Sequence, residues 1–572
     1  MKKRRLFKIV PAVAAASIAF GGIALSGCAE KKPVQTAVSE KIESMDIPAI
    51  GAEAPYMEGA SETAQTQIDE LKANNSYTAS NPLVMYNPYG TLDLSLYVFF
   101  QTEEDAKVSY NISVPDESIP DFGGNLSKTA EKDHEHTLLG LVPGYVNTVT
   151  IITETENEKR EVSFDYACPR SVLTDKEAAI IDHTEELTME NPGTEFAGDQ
   201  KEIILAQEKS DKSLAEGLFL MMGNYDMTGG IRNYAYMYDN DGVMRCKLCA
   251  GFSAAGNILF DNEGGYIYLP ISAGKIAKIN KLGKVERVYP QGDLLNHHDM
   301  IFDNDGNILF LATDNSNKED VEDCIGKLDV ETGEVSLVLD LSNLFRSYED
   351  TCSNDANQAY GAAGDGVDWM HINSIWLEGD DAFLSARETS TIIKINNLLT
   401  NPSIGYLIGS ENFWKGTGYE QYLLKKVNEF DIQGGQHHLT YFPSNEAGVY
   451  NMTMYNNNMA YSTTQPDYDW TQDGFANLTV TDAKEPSYYY NYKINENEKT
   501  VELVDSIAVP TSGIVSSAQT LPNGNIVTDS GVLGIFSEYD SEGKLIRSYY
   551  CQPISRFLYR VFKYDFKGFF FE

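Results

Sequence analysis

The chain has 572 residues, 42% of them hydrophobic and 11% aromatic, enough for more than one buried core. It carries 44 Lys and Arg against 84 Asp and Glu, a net charge of −40. That balance excludes a nucleic-acid partner, which needs a basic footprint, and reads as a solvated, self-repelling surface.

The N-terminus has the form of a targeting segment. Lys2, Lys3, Arg4, Arg5 and Lys8 form a basic region, and Val10 to Leu25 an apolar stretch too short to read as a membrane span. It ends in Leu25-Ser26-Gly27-Cys28, which resembles a bacterial lipoprotein signal, where the Cys becomes the lipidated first residue. An ordinary secretory signal with an incidental Cys is the alternative. Residues 1–27 are therefore expected to be a signal peptide and Cys28 a lipidation site. The protein is expected outside the cytoplasm, lipid-anchored to the bacterial cell membrane. Without residues 1–27 the net charge falls to −45.

Besides Cys28 there are Cys168, Cys246, Cys249, Cys324, Cys352 and Cys551, too few for a disulfide scaffold. Disulfides are allowed outside the cell, but their pairing is not legible. Cys246-Lys-Leu-Cys249 is half of a zinc pattern, and nothing nearby completes it.

Residues 28–78 are polar and rich in small residues, and read as a tether with one helix near 62–73. Residues 79–170 change character. Leu92 to Phe100 and Val108 to Val114 alternate, and Val149-Thr-Ile-Ile-Thr153 is β-branched. Short strands at this spacing predict a small β-sandwich. Leu141-Val-Pro-Gly144 ahead of Tyr145 resembles fibronectin type III modules. His134 and His136 lie on an acidic approach and read as surface histidines. Residues 171–200 read as a linker.

From 201 to 572 a unit repeats. Each contains an apolar run, an Asx or Gly turn and a second apolar run, as at Gly256–Leu269, His298–Thr313, His371–Arg387, His437–Met454 and Ser516–Asp529. A further hairpin follows each of them, and an earlier unit spans Leu218 to Arg245. Four strands per unit and six units predict a six-bladed β-propeller, so the fold class is all-β. Insertions at 342–370 and 456–486 fall in loops, where function tends to sit.

Five of the eight histidines sit at one place in this repeat: His297, His298, His371, His437 and His438. Gly306, Gly379 and Asn445 each lie eight residues after His298, His371 and His437. One register of the repeat thus carries Gly256, His298, His371, His437 and Ser516, facing the mouth of the central channel. Alternation by two puts Asn373 on the same side as His371.

Converging histidines allow a transition-metal site, acid/base or nucleophilic chemistry on an anion, or a structural cluster. Arg387, on the strand returning from His371, favours an anion and opposes a cation. Carboxylates near the histidines are few apart from Asp299 and Glu388. There is no dinucleotide fingerprint or P-loop. Asp-Asn-Asp-Gly at 239–242 and 303–306 lacks the distal ligands of a calcium loop and reads as a hairpin turn.

Asn296-His-His-Asp299, Asp368-Trp-Met-His-Ile-Asn-Ser374, Leu384-Ser-Ala-Arg387, Gly435-Gln-His437 and Leu521-Pro-Asn-Gly-Asn525 together resemble the bacterial arylsulfate sulfotransferases. The resemblance covers roughly 80–550. It implies an N-terminal β-sandwich, a six-bladed propeller, and transfer of a sulfuryl group from a phenolic sulfate ester to another phenol. It implies no nucleotide sulfate donor, cofactor or metal. Carried over by motif, His437 is the nucleophile that becomes sulfated. His371 and Asn373 donate to the sulfuryl or bridging oxygens, Arg387 clamps charge, and His298 is a further site histidine. His297 and His438 leave open which imidazole of each pair faces the channel. Ser516 is expected to line the channel by register alone. The implied partners are a phenolic sulfate donor and a phenol acceptor, and a homo-oligomer is compatible with the sequence. Two other readings fit the same residues: a non-catalytic propeller lipoprotein that binds an anionic ligand or a protein partner, and a metal-dependent lyase or hydrolase.

Overall fold

The computed structural model describes residues 36–43, 45, 47–48, 54–170, 186–187, 205–224, 233–251, 256–317, 320–352, 366–480, 484–554 and 556–572. The signal segment, Cys28 and most of the linker lie outside them. No helix of the described residues is long and apolar enough to cross a membrane.

The N-terminal sandwich is built on one long strand, Ser95–Ser113. Its first half pairs with Glu131–Leu139 and its second half with Val146–Glu154, so it passes from one sheet to the other. Inward residues such as Val98, Phe100, Val108, Tyr110 and Ile112 form the core. The stretch expected as a tether contains folded elements among its described residues. Thr36–Ile42 pairs in parallel with Glu158–Ala167 at the sheet edge. The expected helix is Ala60–Asn74, seated on the sandwich through Ala64 and Ile68. His134 and His136 are not surface residues. They lie on the paired strand 131–139, where His134 is 1% exposed and bonds Thr102 Oγ1.

Six sheets follow, each with a four-stranded antiparallel core, numbered here as blades in chain order; blades 1 and 5 each add a two-residue fifth strand at the outer edge, the one in blade 5, Lys425–Lys426, pairing in parallel. Blade 1 runs Arg560–Tyr564, Leu218–Met222, Asn233–Tyr238 and Met244–Gly251, from the inner strand outward. Its innermost strand therefore comes from the far C-terminus. Blades 2, 3 and 4 start at Leu259–Asp261, Leu294–Phe302 and Ile372–Glu378, and blades 5 and 6 at His437–Pro443 and Ser517–Thr520. The aromatic C-terminus continues from the closing strand to the sandwich, with Phe571 against Phe122 and the Glu572 N–H on the Asn125 carbonyl. Leu92–Asp93, just before the long sandwich strand, pairs with the outer strand of blade 1. The sandwich and propeller are thus joined at both ends of the propeller chain.

A buried apolar residue on each inner strand marks the common register: Ile258, Met300, Ile375, Leu439, Ala518 and Val561, all at most 4% exposed. The residue before each one is polar, and five of the six bond the marked residue of the next blade. Asn257 Nδ2 donates to the Met300 carbonyl, and Asp299 accepts from the Ile375 N–H. Ser374 Oγ accepts from the Leu439 N–H, and the His438 ring bonds the Ala518 carbonyl. Ser517 Oγ exchanges two bonds with Val561. The sixth, Arg560, reaches across the axis instead, with Nη1 3.0 Å from Asp299 and Nη2 donating to the Asn373 carbonyl. Both partners are buried, so this ion pair is held by geometry rather than by solvent.

Asp299→Ala leaves the fully buried Arg560 guanidinium without its counter-charge and is expected to cost about 3–5 kcal/mol. Chemical denaturation of the purified variant measures that loss. An unchanged midpoint and slope would show that the pair does not secure the ring.

Candidate functional site around the propeller axis

Two residues before each marked position lies the axial slot: Tyr559 in blade 1, then Gly256, His298, Asn373, His437 and Ser516. The count of eight residues to the turn therefore misplaced blade 4, where Asn373, not His371, is equivalent to His298. The hairpins differ in length. Phe302 and Ile308 enclose five residues in blade 3, while Glu378 and Asp381 enclose two in blade 4. His371 lies two residues earlier, just before the strand, with an irregularity in the pairing between Ile372 and Ser374. Blade 2 offers only Gly256, and the ring of Tyr559 stacks on His298 from the blade beyond, with centroids 5.6 Å apart.

The structure brings His298, His371 and Arg387 into one connected network. His298 Nε2 is 3.1 Å from His371 Nε2, and the Tyr559 hydroxyl is 2.9 Å from His298 Nδ1. His371 Nδ1 is 2.6 Å from Asp368 Oδ2 and 2.6 Å from Glu322 Oε2. Arg387 Nη2 contacts Glu388 and lies 3.4 Å from Asp368, while its Nε has no hydrogen-bond partner. Glu388 is held in turn by the N–H and hydroxyl of Thr463 and the hydroxyl of Ser462, from the loop after the second strand of blade 5. The expectation of few nearby carboxylates fails here, because Glu322 and Asp368 arrive from loops outside the hairpin register.

His437 is prepared by its own motif. Gly435 has φ +59°, and a Cβ there would meet the Met459 carbonyl oxygen at 2.6 Å. Its carbonyl faces His437 Nδ1 at 2.9 Å. The Gln436 amide donates to the Ser385 hydroxyl and to the carbonyls of Ala386 and Thr391 in blade 4. Asn457 Oδ1 is 2.8 Å from the same Nδ1, while its Nδ2 donates to the carbonyls of Ser512 and Val515. Those two carbonyls fix which way the amide points. Nδ1 thus faces two acceptors and must carry the proton, which leaves the lone pair on Nε2.

The remaining candidates separate. Asn373 Nδ2 donates to the Gln436 carbonyl, and its Oδ1 has no partner. His297 sits edge-on against His298, and only His298 of that pair bonds Tyr559 and His371. His438 lies in the blade 5–blade 6 joint, against Phe562, rather than in the network. Ser516 is wholly buried with φ +89°, its hydroxyl accepting from the Gly531 N–H. His298, His371 and Glu322 also have positive φ, near +50°, +50° and +58°. Non-glycine residues hold that conformation only where their surroundings impose it.

Charge divides the imidazoles into two kinds. Burial, then repulsion from His298, His371 and Arg560 against the single Asn457 bond, holds His437 well below the ordinary histidine range, so it is neutral. Burial likewise lowers His298, against the pull of Glu322. Burial and Arg387 push His371 down too, but Asp368 and Glu322 outweigh them and hold it up at about 9. Glu322 is driven up by burial and pulled well below the carboxylate range by His371 and His298. Burial raises Glu388, against Arg387. A neutral imidazole, His437, thus lies within electrostatic reach of the His298–His371 pair, and the His371 imidazolium has the Arg387 guanidinium beside it. Two surface clefts, of about 320 and 450 Å³, share no residue with it.

Residues 205–561 match the family described as Arylsulfotransferase (ASST), and residues 83–168 match its Ig-like domain. The chain belongs to the arylsulfotransferase family. No curated protein matches it. Among solved structures, it is similar to a putative 6-phosphogluconolactonase from Bacteroides fragilis, at 9% identity over 62% of this chain and 100% of that one, TM-score 0.34. It is also similar to a protein from Lactobacillus plantarum, at 9% identity over 80% and 99%, TM-score 0.32. These likenesses carry no functional weight. The family membership makes this protein an aryl sulfotransferase in general terms, on a propeller preceded by an Ig-like domain.

A histidine-resolved NMR titration should find His371 protonated at pH 8 and His437 neutral down through pH 6. Because the folded value of His371 is raised, its contribution to stability is complete below about 6.5 and is lost as pH rises through about 9. Equal titration of both rings near the ordinary value would contradict the charge assignment.

Proposed function

We propose that this aryl sulfotransferase works in two displacements through a sulfuryl group carried on His437 Nε2, without a nucleotide donor. The supporting observation is the commitment of Nδ1 to the Gly435 carbonyl and Asn457, which leaves Nε2 as the only lone pair on a buried, neutral ring. In the first step Nε2 attacks sulfur and the sulfur–aryl oxygen bond breaks. The departing phenolate takes a proton from the His371–His298 pair. In the second, an acceptor phenol returns a proton to that pair as its oxygen attacks sulfur and the nitrogen–sulfur bond breaks. Arg387, through its unpartnered Nε, and the free N–H of Asn373 meet the charge spread over the sulfuryl oxygens. Such transfer depends mainly on positioning and electrostatics, as phosphoryl transfer does. Two successive displacements make the kinetics ping-pong. The donor is a phenolic sulfate ester and the acceptor a phenol.

A metal-dependent reading has the clustering of donor atoms in its favour: those of Glu322, Asp368 and His371 lie within 4.8 Å of one another, and so do those of His297, His298 and Glu322. The imidazolium of His371 and the guanidinium of Arg387 already offset those carboxylates, so sulfuryl transfer is the better-supported reading. We further propose that the protein acts outside the cytoplasm, anchored through lipid on Cys28.

Incubation with an aryl sulfate alone should leave one sulfuryl group on His437, read by peptide mass spectrometry. His437→Ala should remove both the label and phenol-dependent turnover. Arg387→Gln should lower kcat by about 10²–10³-fold. A wild-type protein that releases no phenol from any aryl sulfate, with or without acceptor, rejects the reading. Cys28→Ser should move the protein from the membrane to the soluble fraction; unchanged membrane association would refute the anchor.

A further inference from the structure

Glu322 plays no part in the motifs that carry the family likeness, yet it touches both rings of the histidine pair. Its carboxylate Oε2 is 2.6 Å from His371 Nδ1 and 3.3 Å from His298 Nε2. Its backbone is fixed on both sides. The N–H donates to Thr313 Oγ1, and the carbonyl accepts from the Ile372 N–H, next to His371. These bonds impose the φ of +58°, a conformation with no local reason to exist on a glutamate. The turn entering the third strand of blade 3 is thereby pressed onto the inner strand of blade 4, with the carboxylate over the pair.

The N···N contact of 3.1 Å between His298 and His371 needs one proton, not none and not two. Without it two lone pairs face each other; with two, two N–H groups do. The surroundings decide which ring keeps the charge. Facing His371 are Asp368, Glu322, Arg387 and His298. Facing His298 are Glu322, His371, His297 and Tyr559, with Arg560 nearby. Glu388 offsets Arg387, and His437 stays neutral. His371 has two carboxylates and one guanidinium, whereas His298 has one longer carboxylate contact and no other anion.

We propose that Glu322 is a positioning residue that keeps a single shared proton on the resting His298–His371 pair, so that the pair enters donor cleavage as an acid and, having given that proton away, enters acceptor attack as a base. The inference rests on the sulfuryl-transfer reading and assigns a role within it. In donor cleavage the pair gives its proton to the leaving phenolate oxygen. In acceptor attack it takes one proton from the incoming phenol, and the pair returns to its starting state. Tyr559, stacked on His298 and 2.9 Å from its Nδ1, fixes the far side of that ring. Asp368 alone supports the charge less well, because it is shared with Arg387 at 3.4 Å.

The test is Glu322→Gln in the full chain, which keeps shape and the backbone bonds. With unsubstituted phenyl sulfate as donor, the alkaline limb of kcat/KM should move down by about one to three pH units, since an acid that loses its counter-charge loses its proton earlier. With 4-nitrophenyl sulfate, whose phenolate leaves without needing a proton, the loss should be much smaller. A purely structural role would depress both donors alike, and Glu322→Asp should recover part of the difference. Equal pH limbs and equal losses for both donors in Glu322→Gln overturn the proposal. So does loss of wild-type activity to a chelator with recovery on adding zinc or manganese, which would make the cluster a metal site. If the wild type transfers no sulfuryl group, the His371 titration followed by NMR still decides the matter. Glu322→Gln must lower it, and an unchanged titration refutes the role assigned to Glu322.

Discussion

The bond that the rest of this molecule depends on joins a polar side chain of one inner strand to the backbone of the next. Asn257, Asp299, Ser374, His438 and Ser517 make it in five joints, each next to a buried apolar residue that marks the same height. Backbone groups buried at the axis need partners, and these side chains supply them. The result is a rigid inner ring whose side chains two residues earlier all meet around one axis. Arg560 departs from the pattern, and the departure is informative. It spans from the closing blade to Asp299 and the Asn373 carbonyl, coupling ring closure to the blades that hold the histidine pair.

The site inherits its chemistry from this rigidity. A buried imidazole with its Nδ1 committed is held in one tautomer with its Nε2 lone pair free, as the proposed nucleophile requires, and a second imidazole between two carboxylates is held in one charge state, as the proposed acid requires. The two differ because His437 faces amide and carbonyl oxygens while His371 faces Asp368 and Glu322. Burial strengthens both effects, more for His437, which is 2% exposed, than for His371, whose side chain is 14% exposed. The division of roles follows from local partners, as it does wherever two like groups must do opposite work.

Much of this was legible in the residue pattern. Alternation by two, Asx and Gly turns and an even spacing of hairpins were sufficient for six blades, and the clustering of histidines located the axis. The order of the motifs pointed to the arylsulfotransferase family and to His437, Arg387, His371 and Asn373 as a group. What escaped was nonlocal. Tyr559 and Arg560 belong to a blade whose other strands lie more than 300 residues earlier, in a C-terminal stretch whose aromatic composition masked its register. Glu322 and Asp368 come from loops, where no periodicity applies. Asn457 is the middle residue of three asparagines, and only the fold shows which one faces a ring. Counting to the turn failed at blade 4 because its hairpin is shorter. Counting from the buried apolar residue does not depend on hairpin length.

The central claim is that sulfur changes partners twice, with a histidine nitrogen between the two oxygens. The stereochemical course at sulfur tests it without relying on trapping or on any variant. A phenyl sulfate made chiral with three oxygen isotopes, transferred to a second phenol by the wild-type enzyme, should give a product with retained configuration, because each in-line displacement inverts once. Inversion would mean a single direct transfer between the two phenols, and the account of His437 as the carrier would be wrong.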